Sequence, residues 1–318
     1  MSLLLVINGA GQNWAPESWL HRFSERLSGR RIVIANEQDA VVEVFRYAAV
    51  WKPTHGFLAR CKGLEVIFNL GAGVDALLQD RTLPNVPLVR IVNQDLRKRM
   101  TEYVVLHCLM HHRRQRALDD AQARCVWEAD EQPAAAAVRV GILGLGELGQ
   151  DAAEVLHRIG FQVAGWSRAR KTVPGIRSYA GQGELNEFLG RTDILVALVP
   201  LTPDTQGILN RDLFQRLARD GALGSPVLIN AGRGGLQVEA DIISCLNDGT
   251  LGAATLDVFH EEPLGASTPF WGHPKVTVTP HNAADSDPEA ISDDIAAQIL
   301  DYEAGKPLRN VVDRNKGY

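Results

Sequence analysis

Short apolar runs alternate with amphipathic stretches in the first part of the chain. Runs at residues 3–7, 31–35 and 64–69 have the length and aliphatic content of buried β-strands. The third run leads into a turn with glycines at Gly71 and Gly73, where backbone N–H groups can approach a ligand closely. The same turn is equally consistent with a simple connection from a strand to a helix.

A helical pattern at residues 100–123 changes character halfway. Apolar residues crowd its early turns, and Arg113, Arg114 and Arg116 make its second half basic. The pattern predicts one long helix. Residues 127–133, which begin at Trp127, show little periodicity and are typical of an extended arm between domains.

Repeated strand–helix units begin at Val138. Apolar strands are predicted at residues 138–143, 161–166, 194–199, 227–230, 253–258 and 276–279. Residues 147–159 have apolar positions at helical spacing and are followed by Gly160, which suits a helix end. Strands separated by helices predict a parallel sheet covered on both faces. One more helix is predicted at residues 288–304.

Length and composition limit the class of protein. With 318 residues the chain exceeds one compact core, so two domains are expected. A formal charge of −5 and a pI near 6.0 give no general attraction to nucleic acid or to an anionic membrane. The apolar start, residues 1–8, lacks the basic region and cleavage site of a signal peptide and is interpreted as a strand. No apolar run reaches the roughly 18 residues of a membrane helix.

The four cysteines are scattered along the chain without a Cys-x-x-Cys pair. This pattern favours neither a disulfide framework nor a zinc site, and it fits a reducing cytoplasm. The cysteines are Cys61, Cys108, Cys125 and Cys245.

A Gly-x-Gly-x-x-Gly sequence follows the strand predicted at 138–143 and opens the helix at 147–159. In that context it is typical of a dinucleotide site. Gly144 permits the tight turn, Gly146 lets a pyrophosphate approach the backbone, and Gly149 lets helix and strand pack closely. The helix N-terminus supplies N–H donors and a partial positive charge. A glycine-rich turn without a ligand is the alternative.

The end of the next strand indicates which dinucleotide binds. An NAD-type site usually ends this strand in an acidic residue that binds the ribose 2′-hydroxyl. Here Ser167 occupies that position, and Arg168, Arg170 and Lys171 follow. Because a 2′-phosphate favours guanidinium donors and no nearby anion, NADP(H) is the predicted cofactor, with NAD(H) possible. A solvated basic turn is the alternative interpretation.

A loop with two prolines follows the strand predicted at 194–199. It spans residues 200–210 and includes Pro200 and Thr205. Open α/β sheets bind ligands at the carboxyl ends of their strands, so these two residues are expected to contact the cofactor. Most side chains of the loop are equally consistent with a structural role.

Arg233, Glu262 and His281 each follow a predicted apolar strand. Arg233, flanked by small residues, suits pairing with the carboxylate of a 2-oxo acid and polarising its carbonyl. Reduction of a ketone puts negative charge on oxygen and therefore needs a proton donor. His281 is the predicted acid, and Glu262 is the carboxylate predicted to orient it. His260 and Glu261 compete for the same two roles.

His107, His111 and His112 lie at helical spacing, as metal ligands would. The glutamate of a His-Glu-x-x-His motif is missing, and the arginines that follow would repel a cation. No metal site is predicted.

Taken jointly, these motifs resemble the D-isomer-specific 2-hydroxyacid dehydrogenase family over almost the whole chain. The resemblance is carried by residues 71–75, 144–149, 200–210, 230–235, 257–264 and 279–284. Residues 50–53, 166–168 and 312–318 are similar to the glyoxylate/hydroxypyruvate reductase A branch of that family.

The resemblance implies an α/β protein with two Rossmann-like, doubly wound parallel-sheet domains and a cleft between them. Residues 1–97 and 285–318 would form the substrate-binding domain, and residues 98–284 the nucleotide-binding domain. The trio Arg233, Glu262 and His281 matches the family's catalytic residues. The helix from Met100 and the arm through Trp127 resemble a family dimer interface, which implies a homodimer. Further expected contacts are Trp51, Ala72, Gly73, Arg233 and His281 for the substrate, and Glu147, Leu148, Ala231, Gly232 and Asp257 for the cofactor.

The sequence departs from the family pattern at three points. Gly232 stands where alanine commonly precedes the catalytic arginine, and this change is expected to be harmless. Asn282 replaces a usually apolar residue after the histidine and would alter the polarity of the pocket. Residues 93–99 are more basic than is typical of the branch, which leaves the length and charge of the substrate open.

We therefore expect an NADPH-dependent reductase of small 2-oxo acids such as glyoxylate or hydroxypyruvate. His281 would protonate the carbonyl oxygen while Arg233 holds the substrate, and closure of the two domains would exclude water. A reductase of bulkier or aromatic 2-oxo acids is one alternative. A non-catalytic, nucleotide-sensing binding protein is another, and the intact trio argues against it.

Overall fold

The computed structural model describes residues 2–8, 14–38, 44–127 and 131–317. The chain divides into two compact units, Met1–Leu96 with Ser286–Tyr318, and Arg97–Asp285. Within the described residues each unit is built on one parallel sheet, of five strands in the first and seven in the second. The predicted α/β class with two doubly wound parallel sheets is confirmed.

The strands and α-helices follow one another in a fixed order. They are β1 (Ser2–Ile7), α1 (Pro16–Arg26), β2 (Arg31–Ile34), β3 (Tyr47–Trp51), β4 (Val66–Asn69), α2 (Asp75–Leu78), β5 (Leu88–Val89), α3 (Gln94–His112), α4 (Gln115–Ala123), β6 (Arg139–Leu143), α5 (Glu147–Ile159), β7 (Gln162–Ser167), β8 (Arg177–Ala180), α6 (Gly181–Gly190), β9 (Ile194–Ala197), α7 (Arg211–Gln215), β10 (Val227–Asn230), α8 (Glu239–Asp248), β11 (Ala253–Leu256), β12 (Val276–Val278) and α9 (Pro288–Glu303).

The first sheet has the strand order β2-β1-β3-β4-β5. Its inner strands are almost continuously apolar and buried, notably β1 and β4. Separate clusters of apolar side chains cover its two faces, as a parallel sheet requires.

Helix α9, near the end of the chain, packs beside α1 in the first unit. Arg22 and Arg26 of α1 both donate to the carboxylate of Glu289, each at 2.7 Å. Asp287 caps α9 by accepting the amide of Glu289. The apolar stripe of α9 lies in the core of the first sheet and consists of Ile291, Ile295 and Ile299.

The second sheet has the strand order β12-β11-β10-β9-β6-β7-β8. Because all of its pairs are parallel, the carboxyl ends of its strands lie along one edge. The strand order reverses between β6 and β9, which is the switch point where open α/β sheets bind ligands. Two apolar clusters cover the faces of this sheet.

The prediction of one helix at residues 100–123 is wrong. Helix α3 begins earlier, at Gln94, and ends at His112, before α4 starts at Gln115. Between them Arg114 has φ of 54°, a left-handed conformation through which a right-handed helix does not continue. Asn93 explains the early start, because its Oδ1 accepts the amide of Leu96 at 2.9 Å.

The remaining predicted strands and helices lie within two residues of their observed ends. The apolar pattern does not indicate β3, β5 or β8. Of the predicted arm, Trp127 is described and highly exposed, whereas residues 128–130 lie outside the described residues. No helix in the described part of the chain is both long and apolar enough to cross a membrane.

Candidate active site

Most of the predicted site residues of the second unit follow strands of the second sheet at its carboxyl edge. In spatial order the residues that end or follow these strands are His281 (β12), Glu262 (β11), Arg233 (β10), Pro200 (β9), Gly144 (β6) and Ser167 (β7). The structure therefore brings the glycine turn and the three candidate catalytic residues to one edge of one sheet.

The turn after β6 requires glycine at two positions. Gly144 has φ of 118°, which side chains rarely adopt, and a Cβ there would lie 2.7 Å from the backbone of Leu198 and Val199. A Cβ on Gly149 would lie 1.9 Å from the carbonyl oxygen of Gly144. Helix α5 can therefore sit against the turn only without these side chains.

Gly146 differs, because nothing described in this protein crowds it. Its φ of −78° is ordinary, and a Cβ there would meet no described atom within 4 Å. It is the N-cap of α5, so no side chain caps the helix and the first-turn amides are left for a ligand. A small open cradle at a helix N-terminus fits a pyrophosphate.

The first turn of α5 contains the predicted contacts Glu147 and Leu148. The carboxylate of Glu147 lies 3.3 Å from Nη1 of Arg97, which partly offsets its negative charge. The side chain of Leu148 packs against the apolar core. Only the backbone amides of these two residues are thus suited to an anionic ligand.

The polar side chains of the basic turn after β7 differ in their contacts. The hydroxyl of Ser167 donates to the carbonyl of Ala169 at 2.7 Å and shapes the turn. Arg170 donates to the carbonyl of Ser178 and to Glu184, so its guanidinium is structural. The side chains of Arg168 and Lys171 are exposed at the end of the strand. Exposed cations at the end of this strand are suited to a 2′-phosphate.

Thr205 organises the loop after β9. Its hydroxyl donates to the carbonyl of Pro200 at 2.7 Å and accepts the amide of Thr202 at 2.8 Å. These bonds give Thr205 a structural role inside the loop, and its contact with a cofactor stays a prediction.

The turn that carries Arg233 is held by the buried side chain of Asn230. Its Oδ1 accepts the amide of Gly232 at 3.1 Å, and its Nδ2 donates to the carbonyl of Arg233 at 3.2 Å. Arg233 itself donates from Nη1 to the carbonyl of Gly232 at 2.7 Å. Ala231 and Gly232 are both buried, and a Cβ on Gly232 would lie 2.9 Å from Leu236, so the core has closed around the missing methyl group.

His281 and Glu262 are in contact. Nδ1 of His281 lies 2.7 Å from Oε2 of Glu262, and the other oxygen of Glu262 accepts the amide of Phe259 at 3.0 Å. The carboxylate requires a proton on Nδ1, so Nε2 is the nitrogen available for proton transfer. His260 is used elsewhere, because its Nε2 donates to the carbonyl of Gln237 at 2.8 Å.

Asp257 holds the loop that carries His281. Sequence reasoning missed this structural role of Asp257. Its carbonyl oxygen accepts the amide of His281 at 2.8 Å, and its carboxylate accepts the amides of Asn282 and Ala283 at 3.0 and 3.1 Å. The predicted contact of Asp257 with the cofactor stays a prediction. The signal for the structural role is its position beside Val258 at the end of an apolar strand, where a carboxylate is buried and must find donors.

In the first unit, the turn after β4 is held by Asn69. Its Nδ2 donates to the carbonyls of Gly71 and Gly73, both at 2.8 Å. The amides of Ala72 and Gly73 make no hydrogen bond to another described residue. The turn thus has two backbone donors suited to a carboxylate.

The ring of Trp51 rests on Gly71. A Cβ on Gly71 would lie 2.5 Å from the indole, so this glycine is required for the observed position of the ring. The ring of Trp14 packs against it with centroids 4.7 Å apart, and the ammonium of Lys52 lies 5.6 Å from its centroid.

The histidines of α3 point to different partners. Nε2 of His111 lies 2.8 Å from the hydroxyl of Thr255, and the ring of His107 packs on Tyr103 with centroids 4.2 Å apart. Burial lowers the pKa of His107, His111 and His112. Among the described residues no three His, Cys, Asp or Glu side chains come together as metal ligands.

Comparison with known proteins identifies related sequences. Residues 105–283 match the family model described as D-isomer specific 2-hydroxyacid dehydrogenase, NAD binding domain. The chain is 41% identical to glyoxylate/hydroxypyruvate reductase A of Serratia proteamaculans, over 95% of this chain and 96% of that protein.

Two solved structures are similar over the whole chain. One is an NADPH-dependent glyoxylate/hydroxypyruvate reductase from Sinorhizobium meliloti in complex with NADP and sulfate, with a TM-score of 0.93 and 45% identity. The other is a probable 2-hydroxyacid dehydrogenase from Rhizobium etli in complex with NADP, HEPES and L(+)-tartaric acid, with a TM-score of 0.92 and 44% identity. Each match covers 100% of this chain and 99% of the other.

Proposed function

The chain belongs to the D-isomer-specific 2-hydroxyacid dehydrogenase family, and we propose that it is an NADPH-dependent reductase of small 2-oxo acids such as glyoxylate and hydroxypyruvate. The observation that carries the proposal is the 2.7 Å contact between His281 and Glu262, which follow β12 and β11, next to β10, the strand that Arg233 follows. A proton donor and a fixed cation at the edge of a dinucleotide-binding sheet suit this reaction. The names of related proteins support the substrate class.

The proposed mechanism assigns one task to each member of the trio. When bound, the reduced nicotinamide supplies the hydride that reduces the carbonyl carbon. His281 donates a proton from Nε2 to the carbonyl oxygen as that oxygen gains negative charge. Glu262 orients the ring through Nδ1, and the amide of Phe259 holds Glu262 in turn. Arg233 pairs with the substrate carboxylate and offsets the charge on oxygen.

NADP(H) is the proposed cofactor. The open cradle at Gly146 and the first-turn amides of α5 suit its pyrophosphate, and Arg168 and Lys171 suit its 2′-phosphate. Two related structures with NADP in their names support this choice over NAD(H). The remaining proposed cofactor contacts are Ser167, Pro200, Thr205, Ala231, Gly232 and Asp257.

The first unit is the proposed substrate-binding domain, and the second the nucleotide-binding domain. The amides of Ala72 and Gly73, which make no hydrogen bond to another described residue, are suited to donate to a substrate carboxylate. Trp51, held against Gly71, is a rigid apolar surface that favours small substrates.

The test is oxidation of NADPH and NADH with a panel of glyoxylate, hydroxypyruvate, pyruvate and phenylpyruvate, with His281→Asn as the variant. Asparagine tolerates the left-handed φ of 54° at this position, so the loop is retained. We expect the small acids to react fastest and NADPH to exceed NADH. Turnover should fall about 10²–10⁴-fold in the variant while NADPH binding survives.

Three other outcomes would each contradict a part of the proposal. Preference for phenylpyruvate would indicate a reductase of bulkier acids. Normal turnover by His281→Asn would remove His281 from its role as the acid. NADPH binding without turnover of any acid would favour a nucleotide-sensing protein.

We also propose that the protein is a cytoplasmic homodimer. Leu106 of α3, Leu118 of α4, Val126 and Trp127 are large apolar side chains with exposed fractions of 55%, 38%, 43% and 96%. Large apolar side chains exposed on and after two successive helices are suited to a partner subunit. The four free thiols fit the reducing cytoplasm.

A further inference from the structure

A chain of hydrogen bonds runs from helix α3 to the loop of His281. The hydroxyl of Tyr103 lies 2.8 Å from Oγ1 of Thr279, and Thr279 donates its own proton to Oδ1 of Asp257 at 2.6 Å. A carboxylate only accepts, so the direction of the chain is determined: Tyr103 donates to Thr279, and Thr279 donates to Asp257. None of these bonds is needed to form a strand or a helix.

The two ends of this series of hydrogen bonds are buried, and Thr279 between them is partly buried. Asp257 is 1% exposed and Tyr103 is 8% exposed. Burial raises the pKa of the Tyr103 hydroxyl, which favours the protonated form that donates. The ring of His107 packs on Tyr103, and burial lowers its pKa, which favours the neutral form.

The series of hydrogen bonds ends at the loop of His281, whose backbone conformation needs support. His281 has φ of 54°, which a residue with a side chain adopts only where its surroundings impose it. Asp257 imposes it by accepting the three consecutive amides of His281, Asn282 and Ala283, the first on its carbonyl and the others on its carboxylate. A rotation of this carboxylate would therefore move the loop that carries the imidazole.

We propose that Tyr103 and Thr279 are positioning residues for the proton donor: they lock the carboxylate of Asp257, and Asp257 locks the backbone of His281 so that its ring meets Glu262. The inference rests on the proposed function, in which His281 protonates the substrate. It extends the proton-donating site to helix α3, on which no residue of the catalytic trio lies.

Three substitutions test the proposal. Thr279→Val keeps the shape and removes both bonds, Thr279→Ser keeps the hydroxyl, and Tyr103→Phe removes only the outer donor. Tyr179→Phe is the matched control, because Tyr179 lies on β8 and its hydroxyl makes one long hydrogen bond among the described residues, 3.4 Å to Glu187. For each protein the measurements are kcat, KM, the Kd for NADPH and the solvent deuterium isotope effect on kcat.

We expect a loss confined to the proton-transfer step. In Thr279→Val, kcat should fall about 10-fold and the isotope effect should rise, while the Kd for NADPH changes less than about twofold. Tyr103→Phe should show the same change to a smaller extent, and Thr279→Ser and Tyr179→Phe should behave as the wild type. A purely structural role would lower the melting temperature without raising the isotope effect and would contradict the proposal, as would a loss found only in the Kd for NADPH.

A crystal structure of Thr279→Val without ligands provides a readout that does not depend on activity. The 2.7 Å contact between His281 and Glu262 should lengthen beyond hydrogen-bond distance. An unchanged loop would overturn the inference even if the proposed reductase activity holds. If the wild type reduces no 2-oxo acid, the proposed function fails, and the crystal structure still decides whether Thr279 positions the imidazole.

Discussion

At the residue scale, the three glycines of the dinucleotide motif have three different surroundings. Gly144 adopts a left-handed φ of 118°, and Gly149 touches the carbonyl of Gly144. Gly146 has an ordinary backbone and open space where a side chain would point. Gly144 and Gly149 are therefore required by the fold, and Gly146 is suited to the close approach of a ligand.

Alanine at these positions should separate folding from binding. Gly149→Ala should lower the free energy of unfolding by about 1–3 kcal/mol, because its Cβ would overlap a backbone oxygen. Gly146→Ala should leave it within about 1 kcal/mol, yet weaken NADPH binding about tenfold or more. Urea unfolding and a fluorescence titration with NADPH measure the two effects. Equal losses of stability in both variants would contradict the distinction.

The basic turn after β7 supports a second prediction at this scale. Arg168→Asp should reduce kcat/KM for NADPH about 10–100-fold, because a carboxylate repels the 2′-phosphate and removes a guanidinium donor. The value for NADH should be unchanged or higher, since a carboxylate there can bind a ribose hydroxyl. Arg216→Asp, directly after α7, is the control for charge alone. An unaltered preference between the two cofactors would rule out Arg168 as the phosphate ligand.

At the scale of elements, α5 and α3 show how far periodicity predicts a helix. The apolar positions of α5 are regularly spaced and Gly160 ends it in a left-handed conformation, so both ends match the pattern. Helix α3 instead buries polar residues such as His107 and His112 beside its apolar ones. Its boundary with α4 depends on Arg114, a residue with no intrinsic preference for ending a helix.

The histidines of α3 predict a loss of stability in acid. Burial lowers the pKa of His111 from 6.5 to about 4, so the unfolded chain takes up a proton that the folded protein refuses. The stabilisation is complete above about pH 6.5 and is lost as the pH falls towards 4. His111 contributes at most about 3 kcal/mol of it. Urea unfolding between these limits measures the effect.

His111→Gln provides the comparison for this pH dependence. Its free energy of unfolding should fall less steeply over the same range, because one proton-linked group is absent. The exposed His21 of α1, replaced in His21→Gln, is the control and should follow the wild type. Parallel curves for all three proteins would mean that His111 is not the group responsible.

At the scale of the whole molecule, each unit has its own sheet and its own pair of apolar clusters. In contrast to these covered clusters, no described residue covers the apolar side chains that are exposed on α3, on α4 and directly after α4. They are the basis for the proposed homodimer.

Charges on this surface should dissociate the dimer. The double variant Leu106→Glu, Leu118→Glu should sediment as a monomer at concentrations where the wild type is a dimer, because burying two carboxylates per subunit is unfavourable. Leu300→Glu is the matched control, since Leu300 is a helical leucine with 44% exposure on α9. A dimer that persists in the double variant would exclude this surface as the interface.

The sequence predicted those features that depend on neighbouring residues. The parallel sheets, the glycine turn and the candidate residues at strand ends follow from apolar runs and from backbone demands that act within a few positions. Even so, β5 and β8 were not indicated, because a two-residue strand and a strand at the sheet edge leave too little apolar pattern.

Contacts between distant residues emerged only when the chain was folded. Glu262, and not Glu261, contacts His281, which lies 19 positions further along the chain. Asp257 binds the amides of residues 281–283, which lie up to 26 positions away. The link from Tyr103 to Thr279 spans 176 positions. Such pairings depend on which strands lie side by side and how their loops close. No local pattern of side chains encodes them, because the partners are distant in sequence and meet only in the folded protein.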